Sequence, residues 1–419
     1  MADTLGVLGG GQLGRYFVLA AKSLGFRTVV LEPDPQSPAG AVADEHLVAA
    51  YDDRLALEHL ATTCQAVTVE FENPPATALE FLAQHLTVRP SPSAVAVTQD
   101  RRSEKQLCAR SGLAVAPWWE VNDARAAARV MESVQEASAL RASAAGARPA
   151  PAPTGFILKT ARLGYDGKGQ YRFSDITRLP AIWAQAGGVA CVLESVVPLD
   201  AELSVILARG ADGSVATYAA TRNEHRDGIL DTSCAPLTAA FASLKPLDNA
   251  EQIIEQARLA ATTLATALDY VGVLAVEFFV SQGHLLVNEL APRPHNSAHW
   301  TLDSSHTSQF EQQVRTLAGL PLGDTSMTHP SVAMANLLGD RWQHGEPQFH
   351  LVLDQANARL HLYGKHEARP ARKMGHLTCF TEPSATSGHV NATEASDVLA
   401  QVRALRDAMT PSDGSAARP

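Results

Sequence analysis

The chain has 419 residues, 46% hydrophobic and 19% charged, which is enough for two or three domains and ordinary for a soluble enzyme. Its 34 basic and 44 acidic residues leave a net charge of −10, which argues against nucleic-acid binding through bulk charge but leaves room for a local basic pocket. No apolar stretch is long enough for a bilayer, Met1-Ala2-Asp3-Thr4 lacks the basic start of a secretory signal, and five scattered cysteines without a CxxC pair argue against structural zinc or a disulfide framework. A cytoplasmic protein with reduced thiols is expected, with neither a membrane nor a nucleic acid as partner.

The first hundred residues alternate strand and helix. Leu5–Leu8 is an apolar strand entering Gly9-Gly10-Gly11-Gln12-Leu13-Gly14, and Leu13, Tyr16, Phe17, Ala20, Ala21 and Leu24 then recur at helical spacing. Thr28–Leu31 and Ala66–Phe71 complete an open parallel, Rossmann-like unit. Gly9-x-Gly11-x-x-Gly14, with Glu32 ending the next strand, has the form of a dinucleotide fingerprint. Its physical content is a set of backbone N–H groups at a helix start, open to any phosphate or polar ligand. A substrate-binding loop is preferred, then a tight turn without ligand, then an NAD site of a dehydrogenase. Glu70 and Glu72 are expected on one strand face at the carboxyl edge of this sheet, where ligands bind; Asn73 could instead cap a helix.

Residues 137–153 are rich in Ala and Pro and read as a flexible surface insertion. Gly155–Lys159 is a strand, and Lys159 is followed by a loop containing Gly164, Gly167 and Gly169. Such a loop can fold over nucleotide phosphates while the lysine supplies a point charge, or it can be a plain surface hairpin. Ala190–Glu194 is a further strand, whose edge could read a base with backbone groups, and Glu202, eight residues on, could hold ribose hydroxyls; singly, each is more often a surface glutamate. Glu251–Leu268 reads as a helix. Leu274–Val280 and Leu285–Leu290 then form a hairpin with Gly283 midway between Glu277 and Glu289. Facing carboxylates destabilise a sheet, so a cation is expected between them, and Mg²⁺ carrying substrate phosphates suits two hard carboxylates. From about Thr328 the chain becomes strand-rich, with a basic loop at Arg369–His376 suited to a phosphate and a last helix near Glu394–Met409.

The segments GGGQLGR (Gly9–Arg15), LGYDGKGQ (Leu163–Gln170), NELAPRPHNSAHW (Asn288–Trp300) and RKMGHL (Arg372–Leu377) together resemble the N5-carboxyaminoimidazole ribonucleotide synthetases, a family of ATP-grasp ligases of purine biosynthesis. The resemblance covers roughly residues 4–380. It implies an α/β and α+β chain with a Rossmann-like domain at 1–99, an ATP-grasp domain at 100–327 with a mobile lid at about 117–197, and a small strand-rich domain at 328–419. It also implies a reaction in which ATP, bicarbonate and 5-aminoimidazole ribonucleotide give the N5-carboxylated ribonucleotide, ADP and phosphate through carboxyphosphate.

By the same resemblance Arg101, Lys159 and the loop Gly164, Tyr165, Asp166, Gly167, Lys168, Gly169, Gln170 would meet ATP phosphates. Glu194, Ser195, Val196 and Val197 would hold adenine and Glu202 the ribose, with His225, Asn288 and Glu289 also in the nucleotide site. Glu277 and Glu289 would bind Mg²⁺, and Tyr165, Asp166, Arg293, His295 and Asn296 would surround bicarbonate and the aminoimidazole. Lys373 and Arg372 would take the ribonucleotide phosphate, with Gln12, Leu13 and Glu72 shaping its pocket. A homodimer is implied as well. Many ATP-grasp enzymes carry a metal-binding Asn two residues after the second glutamate; here Ala291 stands there, which leaves the other metal positions to phosphate and water. Another ATP-grasp ligase, such as a formate-using transformylase, is the alternative within the superfamily.

Overall fold

The computed structural model describes residues 3–143, 154–164, 169–238, 241, 244–382 and 392–411. The N-terminal region is a five-stranded parallel sheet in the spatial order Glu45–Leu47, Arg27–Leu31, Thr4–Leu8, Ala66–Val69, Thr87–Val88. These strands read as near-continuous apolar runs because helices cover the sheet; Leu5, Val7 and Leu8 are fully buried. The strand order reverses between Thr4–Leu8 and Ala66–Val69, which opens a crevice at their carboxyl ends.

Two further sheets follow. A four-stranded antiparallel sheet has the order Trp118–Val121, Cys191–Ser195, Phe156–Thr160, Gln170–Phe173 and packs against the helix Leu179–Gln185. A nine-stranded sheet begins with the hairpin Gly272–Ser281 and His284–Ala291. It runs on through Ala201–Arg209, Thr221–Arg226, Ile229–Ala235, Val332–Leu338, Lys373–Phe380 and Ala358–Leu362, with Val215–Thr217 pairing beside Ala201–Arg209. The strand-rich region after residue 327 is thus continuous with the central sheet, joined where Ala235 pairs with Val332.

The helix Ala250–Ala267 lies on the central sheet through Ile253, Ala257, Ala260, Ala261, Leu264 and Ala265, an apolar stripe at helical spacing. Alanines dominate the stripe, so the helix packs close to the strands. The last helix, Ala392–Ala408, covers the other end of the sheet with Val398, Leu399 and Val402. Helix Ala124–Ser143 extends into the region expected as a flexible insertion, so 137–143 is helical; residues 144–153 lie outside the described part. All five cysteines are free and buried. Among the described residues no helix is long and apolar enough to cross a membrane.

Candidate functional site

The hairpin Gly272–Ser281/His284–Ala291 turns on Gln282 and Gly283, both left-handed (φ 52° and 75°), as a tight two-residue turn demands. Ser281 therefore pairs with His284, and regular alternation would set Glu277 opposite Asn288. A bulge between Glu277 and Phe278 shifts the register by one residue, and Glu277 pairs with Glu289. The expected pairing is present, but the turn is centred half a residue before Gly283 and the bulge restores the match.

The two carboxylates differ electrostatically. Burial drives the Glu277 carboxyl up to about 7, with Glu289 and Glu202 adding to the rise against His225 and Lys373. Burial also works against ionised Glu289, but Arg101, 2.9 Å away, holds it below the usual carboxylate range. Two partly buried carboxyls at paired positions, one of them costly to ionise, are a donor set that a hard divalent cation relieves.

These glutamates face a cavity of about 930 Å³ between the sheets. The central sheet gives it Glu202, His225, Glu277, Asn288, Glu289 and Lys373. The four-stranded sheet gives Lys159, Gln170, Glu194 and Ser195, and the following connector gives Val196 and Val197. Gln12, Leu13 and Glu72 reach in from the N-terminal region; Arg101, Gly164, Arg293, His295, Asn296 and Arg372 complete the wall. Of the residues proposed from sequence, Gly169 is outside this lining, and Tyr165, Asp166, Gly167 and Lys168 fall outside the described residues.

Several buried polar atoms at this wall have no protein partner: both amide atoms of Asn296, Asn288 Oδ1, Arg293 Nε and Ser195 Oγ. An unsatisfied buried polar group costs roughly 1–3 kcal/mol, so atoms left this way around one cavity call for hydrogen bonds from water or a ligand. Burial lowers the Arg293 guanidinium to about 10, yet it stays cationic and pairs with Glu72. His295 is held well below the ordinary histidine range by burial and by Arg293 and Lys373, so it is a neutral imidazole; its Nε2 lies 3.2 Å from Glu277 Oε1. Burial opposes protonation of His225, but its contact with Glu202 and the charge of Glu277 raise it above the usual value.

Three expectations are corrected by this geometry. Three of the glycine turn's backbone donors are spent inside the protein. The N–H groups of Gly11 and Gly14 donate to Glu70 at 2.6 and 2.9 Å, and that of Gly10 donates to Glu32 at 2.8 Å. Helix Gln12–Ser23 has no side-chain cap of its own, and Glu70 fills that role from across the crevice. A Cβ on Gly11 would lie 2.7 Å from Glu70 Oε1, so the glycine is needed for this internal contact. Glu32 also accepts from Tyr51 and holds the turn, so the ribose role of a dehydrogenase fingerprint is lost. Next, Glu70 and Glu72 do not act together, because the strand ends at Val69: Glu70 enters the turn and Glu72 pairs with Arg293. Asn73 caps nothing, since the next helix starts after Pro75 without a side-chain cap, and it lines the cavity instead.

The third correction concerns Glu194, expected at adenine. Its carboxylate sits between Lys105 and Lys159, 2.8 Å from each Nζ, with all three side chains buried. The N–H groups of Ser195 and Val196 are bonded to Pro117 and Gly155 carbonyls. Sequence reasoning missed Lys105 and Glu104, because RRSEKQL reads as a solvated charged helix. Yet Arg101, Glu104, Lys105 and Cys108 are spaced on one helical face and that face is buried, a signal that was available. Glu104 accepts the Leu290 N–H next to Glu289, and burial with that neighbour pushes its carboxyl up.

A separate cluster of Asp303, His361 and His376 has donor atoms within 4.8 Å of one another. The two imidazoles stack at 4.5 Å with planes 14° apart, so their in-plane lone pairs cannot converge on one ion. His361 instead meets Asp303 at 3.0 Å, and His376 Nδ1 meets the Tyr363 hydroxyl at 2.9 Å.

The chain matches three families in succession: a ribonucleotide synthetase preATP-grasp domain over residues 1–99, an ATP-grasp domain over 106–310, and a phosphoribosylaminoimidazole carboxylase C-terminal domain over 332–389. It is 44% identical over 379 residues to the N5-carboxyaminoimidazole ribonucleotide synthase of Brucella melitensis, covering 90% of this chain and 96% of that one. The N5-carboxyaminoimidazole ribonucleotide synthetase of Thermus thermophilus superposes with a TM-score of 0.79 at 35% identity, over 96% of this chain and 98% of that one. The Aspergillus clavatus N5-carboxyaminoimidazole synthase, in complex with ADP and 5-aminoimidazole ribonucleotide, superposes with a TM-score of 0.78 at 27% identity, over 97% and 99%.

Proposed function

The chain belongs to the N5-carboxyaminoimidazole ribonucleotide synthase family, and from that premise we propose how its cavity runs the reaction. The protein is an ATP-grasp ligase of purine biosynthesis that converts 5-aminoimidazole ribonucleotide to N5-carboxyaminoimidazole ribonucleotide with ATP. Bicarbonate is the carboxyl source in this reading. One of its oxygens attacks the γ-phosphorus, the bond to ADP breaks, and carboxyphosphate forms. The exocyclic amine of the aminoimidazole then takes the carboxyl carbon, directly or as CO₂, and inorganic phosphate leaves.

The observation that carries this reading is the set of unpartnered buried atoms of Asn296, Arg293 and Asn288 beside the paired glutamates on one wall. Arg293, His295 and Asn296 hold bicarbonate, with Tyr165 and Asp166 of the glycine loop assigned to the same step. Arg101, Lys159 and the loop Gly164–Gln170 neutralise phosphate charge, which phosphoryl transfer needs more than a nucleophile. Val197 takes adenine, while Glu202 and His225 take the ribose. Glu194 serves by holding Lys159. Lys373 and Arg372 receive the ribonucleotide phosphate opposite Gln12, Leu13 and Glu72. Glu277 and Glu289 would hold Mg²⁺, which, when bound, lowers the charge on the transferring phosphoryl group.

Five free buried thiols support a reducing, cytoplasmic setting. A homodimer rests on the family resemblance alone. The test is phosphate release from ATP with aminoimidazole ribonucleotide and bicarbonate each omitted in turn. Turnover that survives loss of bicarbonate but needs formate would overturn the reading.

A further inference from the structure

Ser297 sits in the segment Arg293–Trp300, and no role above uses it. Its side chain and that of Ser204 are fully buried, and Asn223 and Ser233 are almost so. Ser233 Oγ donates to Asn223 Oδ1 at 2.9 Å, and Asn223 Nδ2 donates to Ser204 Oγ at 3.1 Å. Ser204 Oγ lies 2.7 Å from Ser297 Oγ, which lies 2.8 Å from His295 Nδ1.

The chemistry of the ends sets the direction of this run. An amide NH₂ has hydrogens and no lone pair to offer, so Ser204 Oγ receives there and its one proton points on to Ser297. The Ser297 proton then points to His295 Nδ1. The Ser297 backbone N–H approaches the same nitrogen at 3.4 Å, a second donor aimed at it. A ring nitrogen faced by two donors carries the lone pair, and in a neutral imidazole the proton is then on the other nitrogen. That nitrogen, Nε2, is the one 3.2 Å from Glu277 Oε1. With the opposite tautomer, the Ser297 hydroxyl proton and the Ser297 backbone N–H would both face an N–H and have no acceptor there.

We propose that Asn223, Ser204 and Ser297 are positioning residues, a one-way relay that fixes His295 as the Nε2–H tautomer. His295 thereby turns an N–H, and no base, toward the side of the cavity where Glu277 lies and the carboxyl group would be bound. The inference rests on the placement of His295 at the reacting carboxyl given above. Strands Thr221–Arg226 and Ala201–Arg209 supply the first two members, so the tautomer is set from the rigid interior of the sheet.

The test is nitrogen NMR of the full-length enzyme with ¹⁵N-labelled histidine, the His295 signals being identified by their loss in His295→Asn. The wild-type protein is expected to show protonated Nε2 and unprotonated Nδ1. Asn223→Asp keeps the shape but can only accept, so it reverses the run and moves His295 toward the Nδ1–H form. Ser297→Ala cuts the run and gives a mixture. Both variants should lower kcat roughly ten- to a hundredfold, the range of a lost outer-shell partner, while the KM for ATP stays within about twofold. Protonated Nδ1 in the wild type, or the wild-type tautomer in both variants, overturns the relay. A shifted tautomer with unchanged kcat leaves the relay standing and removes His295 from the chemistry.

Discussion

Two places in this molecule carry convergent polar groups at strand ends, and they have opposite fates. At the N-terminal crevice the donors of Gly10, Gly11 and Gly14 are consumed by Glu32 and Glu70 of the same sheet. At the main cavity the amide of Asn296 and Nε of Arg293 are buried and left over. A motif with exposed N–H groups on paper is not a site until its donors are shown to be unspent. Substitutions at these three glycines should therefore damage stability first, and substitutions at Asn296 and Arg293 should damage turnover first.

The largest effect is expected at the paired glutamates. Glu277→Gln or Glu289→Gln should cut phosphate release by two orders of magnitude or more, about 3 kcal/mol of transition-state stabilisation, and raise the Mg²⁺ requirement with the fold intact. Activity within severalfold of wild type in both variants would end the metal assignment. Gly11→Val is the counterpart in the crevice. Its side chain displaces Glu70 from the helix start, and a loss of about 2–4 kcal/mol is expected, read as a lower denaturation midpoint. Unchanged stability with weakened ribonucleotide binding alone would restore the turn as a ligand site.

Lys373→Ala should raise the KM for the ribonucleotide by roughly one to two decades, the worth of one charge-assisted contact, and leave that for ATP nearly unchanged. Equal effects on both substrates would mean general damage. The smallest effect is a gain. In ligand-free protein without divalent cations the Glu277 carboxyl titrates near 7, above its unfolded value near 4.5. A raised carboxyl costs stability that is absent below the unfolded value and fully present above the folded one. Glu277→Gln should therefore gain on wild type as pH rises from 5 to 8, by on the order of 1–3 kcal/mol. Parallel pH–stability curves for the two proteins would contradict this.

Local pattern made much of this legible. Leu5–Leu8, the helix Ala250–Ala267 and the hairpin near Gly283 carry periodicity and turn chemistry in a few adjacent residues, and the structure places them within a residue or two. What stayed hidden was settled by distant partners. The Glu70 contacts with Gly11 and Gly14 cross 59 and 56 residues, and that of Glu104 with Leu290 crosses 186. The Ser204–Ser297 contact spans 93 residues between groups with no local signature. The bulge beside Glu277 was hidden for another reason: a strict two-residue alternation conceals a one-residue slip until the turn type is known.

The strand carrying Glu277 and the strand carrying Lys373 belong to one unbroken sheet, with four strands between them in the pairing order. Both side chains nevertheless reach the same cavity, so the sheet wraps around it like a curved anvil. The span between Glu277 and Lys373 is then set by strand spacing and twist, with no hinge in the path. The four-stranded sheet with Lys159 and the N-terminal sheet share no strand with that anvil. A shift of either sheet would leave the length of that span unchanged.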